Sequence, residues 1–92
     1  MVINGRKYEI IEDYKDAFDE EAVRSKFTEY FERYDYVVGD WAYGNLRLKG
    51  FCKPNNPNFN EINDYNKKEE YLKEYCATDC KYFVMALVTY EK

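Results

Sequence analysis

The sequence predicts one α+β domain over residues 1–92, with its segments in the order ββ-α-ββ-α-β. Five short segments carry β-type patterns bounded by turn signals, and two others repeat apolar residues at helical spacing. Ninety-two residues, of which 46% are hydrophobic, are too few to enclose a second core. These observations favour a mixed or antiparallel sheet packed by two helices.

The first two strands are predicted from the dipeptide Asn4-Gly5. It separates residues 1–3 from an apolar-polar alternation that runs to about Tyr14. Asn-Gly is a strong hairpin signal because both residues tolerate positive φ. Ile11 breaks the alternation, so the register of the second strand stays open.

An amphipathic helix is predicted at about residues 18–33. Asp16 or Asp19 can cap it, and the acidic residues that follow suit the positive end of the helix dipole. Its apolar stripe comprises Val23, Phe27, Tyr30, Phe31 and Tyr34.

A hairpin of residues 35–41 and 45–51 is predicted around the only Trp of the chain. Leu46 and Leu48 would point to the core, and Arg47 and Lys49 would lie on the opposite face. A Gly inside a strand, as at 39 and 50, usually marks a bulge or a close approach by another group.

Residues 52–60 contain two Pro and four Asn and therefore predict a loop. A second helix should begin between residues 61 and 66 and end near 76, burying Tyr65, Leu72, Tyr75 and Cys76. Residues 81–90 should form the last strand. That strand is apolar on both alternations, which predicts a central position covered on both faces.

Composition excludes several classes of function. The net charge is −4, which argues against tight non-specific binding to phosphate backbones. The chain has no His and no Gln, and its only Ser is Ser25, so Ser–His, Cys–His and His-ligated metal sites are impossible. The longest apolar run is far too short to span a membrane, and residues 1–5 do not resemble a signal peptide. A cytoplasmic protein without a cofactor is expected.

Residues 34–51, YDYVVGDWAYGNLRLKGF, resemble the signature of the YutD-like family. The resemblance extends to residues 2–8, VINGRKY, and to 71–76, YLKEYC, followed by Cys80 and YFV at 82–84. It covers nearly the whole chain. It implies a cytosolic bacterial protein with an α+β fold, and it implies no reaction.

Two positions depart from the family pattern. The family usually has Cys-Asn-Phe-Gly-Cys where this chain has residues 76–80, CATDC. Asp79 thus replaces a Gly suited to a left-handed helix cap, although Asp tolerates that conformation better than most residues. Cys52 stands where the family has Phe, so the resemblance implies no role for it.

The main functional hypothesis is a non-catalytic, regulatory or protein-binding module that uses the hairpin of residues 40–49. A turn rich in Trp, Tyr and Gly can present rigid rings beside charges that orient a partner. On this hypothesis Trp41→Ala and Arg47→Ala each weaken binding, and Arg47→Ala leaves the fold intact. The alternative is that Trp41 and Tyr43 only cap the core. The predicted binding residues are Asp40, Trp41, Tyr43, Arg47 and Lys49.

RNA is the alternative partner. Exposed aromatic rings can stack bases while basic residues contact the backbone, and Tyr36, Trp41, Tyr43, Arg47 and Lys49 could supply both. A continuous basic face around Arg47 would favour RNA, whereas a face of mixed charge would favour protein.

Thiol chemistry is a further alternative at Cys76 and Cys80. If the helix ends at Cys76 the two thiols could form a disulfide, and a metal would also need Cys52 and a carboxylate such as Asp79. Buried, reduced cysteines are the simpler interpretation. An enzyme would need a carboxylate pair such as Asp35 and Asp40, with Tyr43 or Lys49 as the acid. Local structural roles account for both acids more simply, so no catalytic residue is predicted.

Overall fold

The structure is a computed structural model that describes residues 1–3, 5–75 and 80–88. A five-stranded antiparallel sheet forms its centre, in the spatial order β1-β2-β5-β3-β4. The strands are β1 (Val2–Ile3), β2 (Arg6–Tyr14), β3 (Tyr36–Ala42), β4 (Asn45–Phe51) and β5 (Tyr82–Leu87). The helices are α1 (Glu20–Lys26), α2 (Lys68–Tyr75) and two 3₁₀ helices, Glu29–Arg33 and Tyr65–Lys67.

The two α-helices cover opposite faces of the sheet. Val23 of α1 belongs to a core cluster with Val37, Phe83 and Met85, all of them fully buried. Leu72 of α2 belongs to a second cluster on the other face, with Val38, Phe51 and Val84. The predicted α+β architecture is therefore confirmed. Of the two predicted kinds of sheet, mixed or antiparallel, the structure has the antiparallel one.

The central position of β5 is also confirmed. It lies between β2 and β3, and its residues Phe83, Val84 and Met85 have no exposed surface. In β2, Ile11 lies where the register shifts between Ile10 and Glu12. The break in alternation seen in the sequence therefore marks a β-bulge, which leaves the Ile11 side chain exposed.

The prediction of one helix over residues 18–33 is wrong in extent. The α-helix ends at Lys26, and the extended backbone of Phe27 and Thr28 separates it from the 3₁₀ helix Glu29–Arg33. The break lets Phe27 pack against Tyr8 and brings the Tyr34 ring over Gly50. Tyr30, predicted to be part of the buried stripe, is 54% exposed. Tertiary packing outweighs the local helical pattern here.

The second helix begins as the 3₁₀ turn Tyr65–Lys67 and continues as α2. Both helices lie within the range predicted for the second helix, which was to begin between residues 61 and 66 and to end near 76. The predicted end at Cys76 lies outside the described residues. Residues 89 and 90 of the predicted last strand lie outside them as well. The preceding loop is held by Asp35, whose carboxylate accepts hydrogen bonds from the Lys53 N–H at 2.8 Å and from Asn56 Nδ2 at 3.0 Å.

The two glycines within strands both mark close approaches. A Cβ at Gly39 would lie 2.2 Å from the Phe83 ring, and one at Gly50 would lie 2.2 Å from the Tyr34 ring. Both positions therefore require the absence of a side chain.

Candidate functional site: the central hairpin and the groove beside it

The central hairpin is formed by β3 and β4, which pair from Tyr36↔Phe51 to Ala42↔Asn45. Its turn has two residues, Tyr43 with φ 53° and Gly44 with φ 78°. Positive φ at both central positions defines a type I′ turn, whose twist matches that of the flanking strands. The predicted hairpin is confirmed to within one residue at each end.

Tyr43 combines two unusual properties. Its relative exposure is 102%, so its ring contacts almost nothing in the chain. It also occupies the first central position of the turn in a left-handed conformation, where Asn or Gly is favoured and a bulky residue costs about 1 kcal/mol. Neither property improves folding, so the Tyr43 side chain contributes little to the stability of the folded chain.

The five predicted binding residues do not form one face. Asp40, Arg47 and Lys49 lie on the α2 side of the sheet, where register pairs Asp40 with Arg47. Trp41 lies on the α1 side, half-buried against the core, and its Nε1–H donates to the Ala17 carbonyl at 2.8 Å. For Trp41 this position fits the alternative of a core-capping residue.

Asp40 is the buried partner of Arg47. Its side chain has no exposed surface, and Oδ2 accepts a hydrogen bond from Arg47 Nη2. The Oδ1 atom is also buried and has no hydrogen-bond partner. The Asp40 hydrogen bond is the main reason why the pKa of Arg47 is raised above its ordinary value. Asp40 therefore holds the Arg47 side chain at the surface, where 42% of it is exposed.

A groove of about 490 Å³ lies beside the hairpin on the α2 side. Lys49 and Phe51 of β4 line one wall, and Glu61 and Ile62 of the loop line another. The α2 side contributes Lys67, Glu70, Tyr71 and Glu74. The surface next to Arg47 and Lys49 therefore carries mixed charge, which favours protein over RNA by the criterion set from the sequence.

Sequence reasoning missed this groove. The residues 67, 70, 71 and 74 recur at helical spacing, which is the signal that could have shown a second face of α2. Their contact with β4 depends on the position of α2 across the sheet, which the sequence does not show.

Comparison with known proteins places this fold in a family. The family described as "Putative antitoxin YutD-like" matches residues 2–86. The chain belongs to the YutD-like family. Its sequence is 39% identical over 85 residues to "Putative antitoxin YutD" of Bacillus subtilis, covering 92% of this chain and 93% of the relative. The solution NMR structure of protein yutD from B. subtilis matches with a TM-score of 0.82 and 36% identity, covering 100% of this chain and 84% of that one.

The aromatic rings of this YutD-like chain are poorly placed for stacking bases. Tyr36 is already stacked on Tyr65, with ring centroids 3.6 Å apart and planes 11° apart. Trp41 is half-buried, and the Lys81 ammonium lies 5.4 Å from its ring centroid. Tyr43 remains the exposed ring of the hairpin.

The cysteines divide into two environments. Cys52 is free and fully buried, and burial raises the pKa of its thiol, so it is suited to packing rather than to thiolate chemistry. Cys80 is disulfide-bonded, which differs from the simpler expectation of reduced cysteines. Cys76 and Asp79 lie outside the described residues. Within residues 1–3, 5–75 and 80–88, no group of His, Cys, Asp or Glu is arranged to hold a metal ion.

Asp35 and Asp40 have separate structural roles. Asp35 bonds to the loop after β4, and Asp40 is buried against Arg47. Among the described residues, no helix is long and apolar enough to cross a membrane.

Proposed function

We propose that this YutD-like protein is a non-catalytic, antitoxin-like interaction protein that binds a protein partner in the cytoplasm through the tip of the β3–β4 hairpin. The observation that carries the proposal is Tyr43, a fully exposed ring held in a left-handed turn conformation. The family description and the relative named "Putative antitoxin YutD" support a regulatory role.

The hairpin supplies an anchor and an orienting charge. Tyr side chains are enriched among the residues that dominate binding energy, because the ring buries a large area at low entropic cost. Arg47 lies beside the turn on β4, where its charge can orient a partner, while Asp40 limits the conformations of its side chain. Strands on either side of the turn hold both groups in fixed positions.

Tyr43→Asn separates binding from folding. Asn is preferred in a type I′ turn, so this variant should be more stable than wild type. Its free energy of unfolding should be higher by about 0.5–1 kcal/mol. The same change removes the anchoring ring, and binding should weaken by about tenfold or more. Unfolding in urea measures the first effect. Affinity capture from B. subtilis lysate, with and without ribonuclease, measures the second.

Tyr43→Phe is the matched control, because it keeps the ring and should retain most of the captured partner. Equal capture by wild type and Tyr43→Asn would contradict the proposed site. Lower stability of Tyr43→Asn would show that the ring serves the fold instead. Loss of capture on ribonuclease treatment would replace the protein partner by RNA.

A further inference from the structure

We infer that the disulfide of Cys80 is a redox-sensitive modification site, which a low-molecular-weight thiol can open and the corresponding disulfide can close in the folded chain. Cys80 is disulfide-bonded, whereas Cys52 is a free thiol. The sequence contains three cysteines, so within one chain Cys76 is left as the partner of Cys80. Cys76 lies outside the described residues. This site goes beyond the proposed function, because its chemistry does not require the partner of the hairpin.

Cys80 and Cys52 differ in their exposure. Cys80 is half-buried, and Cys52 has no exposed surface. Exchange begins when a thiolate attacks a disulfide sulfur, so it depends on access, and exposed disulfides are the more easily reduced ones. Burial raises the pKa of the Cys52 thiol, which disfavours the reactive thiolate. A dissolved thiol should therefore react at Cys80 and leave Cys52 unchanged in the folded chain.

The disulfide closes a short loop. Cys76 and Cys80 are separated by three residues in the sequence. A disulfide stabilises a fold largely by constraining the unfolded chain, and this effect grows with the length of the loop that it closes. Cys80 is also a member of neither core cluster. Opening the disulfide should therefore leave the sheet and both clusters folded.

Cys80 lies next to a contact between β5 and the hairpin. The carbonyl of the following residue, Lys81, accepts a hydrogen bond from the Trp41 N–H at 3.2 Å. The Lys81 ammonium lies 5.4 Å from the centroid of the Trp41 ring. The disulfide restrains the residue that precedes Lys81, so opening it should loosen both contacts with Trp41.

The reaction is a two-electron thiol–disulfide exchange. The thiolate of one thiol molecule, such as glutathione, attacks one sulfur of the disulfide, so a mixed disulfide forms and the other cysteine leaves. A second glutathione thiolate attacks the mixed disulfide, which releases the remaining cysteine and one glutathione disulfide. The two protons of the glutathione thiols end on the two cysteines. Glutathione disulfide drives the reverse reaction and reoxidises the pair.

The test equilibrates the full folded chain in buffers that differ in the ratio of glutathione to glutathione disulfide. Acid quenching, alkylation and peptide mass mapping then give the oxidised fraction of Cys80. We expect it to change from mostly oxidised to mostly reduced over about a hundredfold range of [GSH]²/[GSSG]. Cys52 should resist alkylation until the chain is unfolded. Far-UV circular dichroism should stay the same throughout.

Amide hydrogen exchange measures the effect on the hairpin. Reduction should speed exchange of the Trp41 N–H by about threefold or more, because its acceptor on Lys81 gains mobility. The Leu87 N–H donates to the Asp35 carbonyl near the other end of β5 and should keep its rate. Cys80→Ser should match reduced wild type in every buffer, and Cys52→Ala should respond as wild type does.

Four results would overturn the inference. They are a free Cys80 thiol in air-equilibrated protein, a disulfide that stays oxidised in every glutathione buffer, unfolding on reduction, and equal Trp41 exchange in the two states. Unfolding on reduction would assign the disulfide a structural role instead. None of these measurements involves a partner of the hairpin, so failure of the proposed function and failure of this site are distinguishable.

Discussion

Asp40 and Arg47 illustrate, at the scale of single residues, how a binding candidate can also be structural. The Asp40 carboxylate is completely buried, and among the described residues it accepts a hydrogen bond only from Arg47. A buried carboxylate without its cation is costly, because water cannot solvate it. This geometry revises the expectation that Arg47→Ala leaves the fold intact, and that variant alone is therefore a poor test of binding.

Arg47→Ala should lower the free energy of unfolding by about 2–4 kcal/mol. The double variant Asp40→Asn/Arg47→Ala should regain a large part of that loss, because the uncompensated charge is gone. Urea unfolding of wild type, both single variants and the double variant measures the coupling between the two residues.

Lys49→Ala is the control for this cycle. It removes a cation from the same face of β4 but leaves no buried acid unpaired, so its effect should stay below about 1 kcal/mol. If Arg47→Ala is as stable as wild type, the buried Asp40 carboxylate tolerates the loss of its cation. Arg47→Ala would then be a suitable variant for testing binding.

At the scale of elements, a polar cluster attaches α2 to β2. Lys68 is nearly buried and donates to Glu12 Oε2, and the Tyr82 hydroxyl donates to Glu12 Oε1 at 3.1 Å. Burial lowers the pKa of Lys68, but its hydrogen bond to Glu12 and the neighbouring Tyr65 outweigh burial, and the net pKa is raised. The cluster therefore stabilises the charged lysine and contributes to the placement of the helix that lines the groove.

Lys68→Met should lower the free energy of unfolding by about 1–3 kcal/mol, because it leaves Glu12 with a half-buried carboxylate and no cation. Lys73→Met is the matched control on the exposed side of the same helix and should change stability by less than about 0.5 kcal/mol. Thermal unfolding of the two variants compares them directly. If Lys68→Met and Lys73→Met are equally stable, apolar contacts alone hold α2 against the sheet.

At the scale of the whole molecule, several tyrosines should make the free energy of unfolding depend on pH in the alkaline range. Burial, with the hydrogen bond to Tyr30, raises the pKa of Tyr34 to about 12, and burial also raises the pKa of Tyr65 and Tyr82. A group whose pKa is raised by folding contributes stability that is present below its unfolded pKa. That contribution is lost as pH rises through the folded value.

Stability should therefore fall between about pH 10 and pH 12, with Tyr34 accounting for about 2 kcal/mol of the loss. Tyr34→Phe should weaken this dependence, at a cost at neutral pH of about 1 kcal/mol for the lost hydrogen bond. Urea unfolding at a series of pH values measures both. Tyr43→Phe, at an exposed ring, is the control, and an unchanged pH dependence in Tyr34→Phe would contradict the assignment.

Local patterns in the sequence were sufficient for the hairpin of β3 and β4 and for the irregularity in β2. The alternation of Leu46, Arg47 and Leu48 predicted the correct faces of β4, and Ile11 marked the bulge in β2. These patterns work because a strand places successive side chains on opposite faces wherever it lies in the fold. Helix extent was less predictable, since Phe27 leaves the helix to pack against Tyr8 on a distant strand.

The sequence by itself determined the kinds and order of the elements, the hairpin and the absence of His-dependent chemistry. Only the tertiary structure decided that Asp40 is buried and that α2 and β4 enclose a groove. The physical reason is distance along the chain. Alternation, capping and turn propensity act between near neighbours, whereas burial and the groove depend on contacts between segments far apart in sequence.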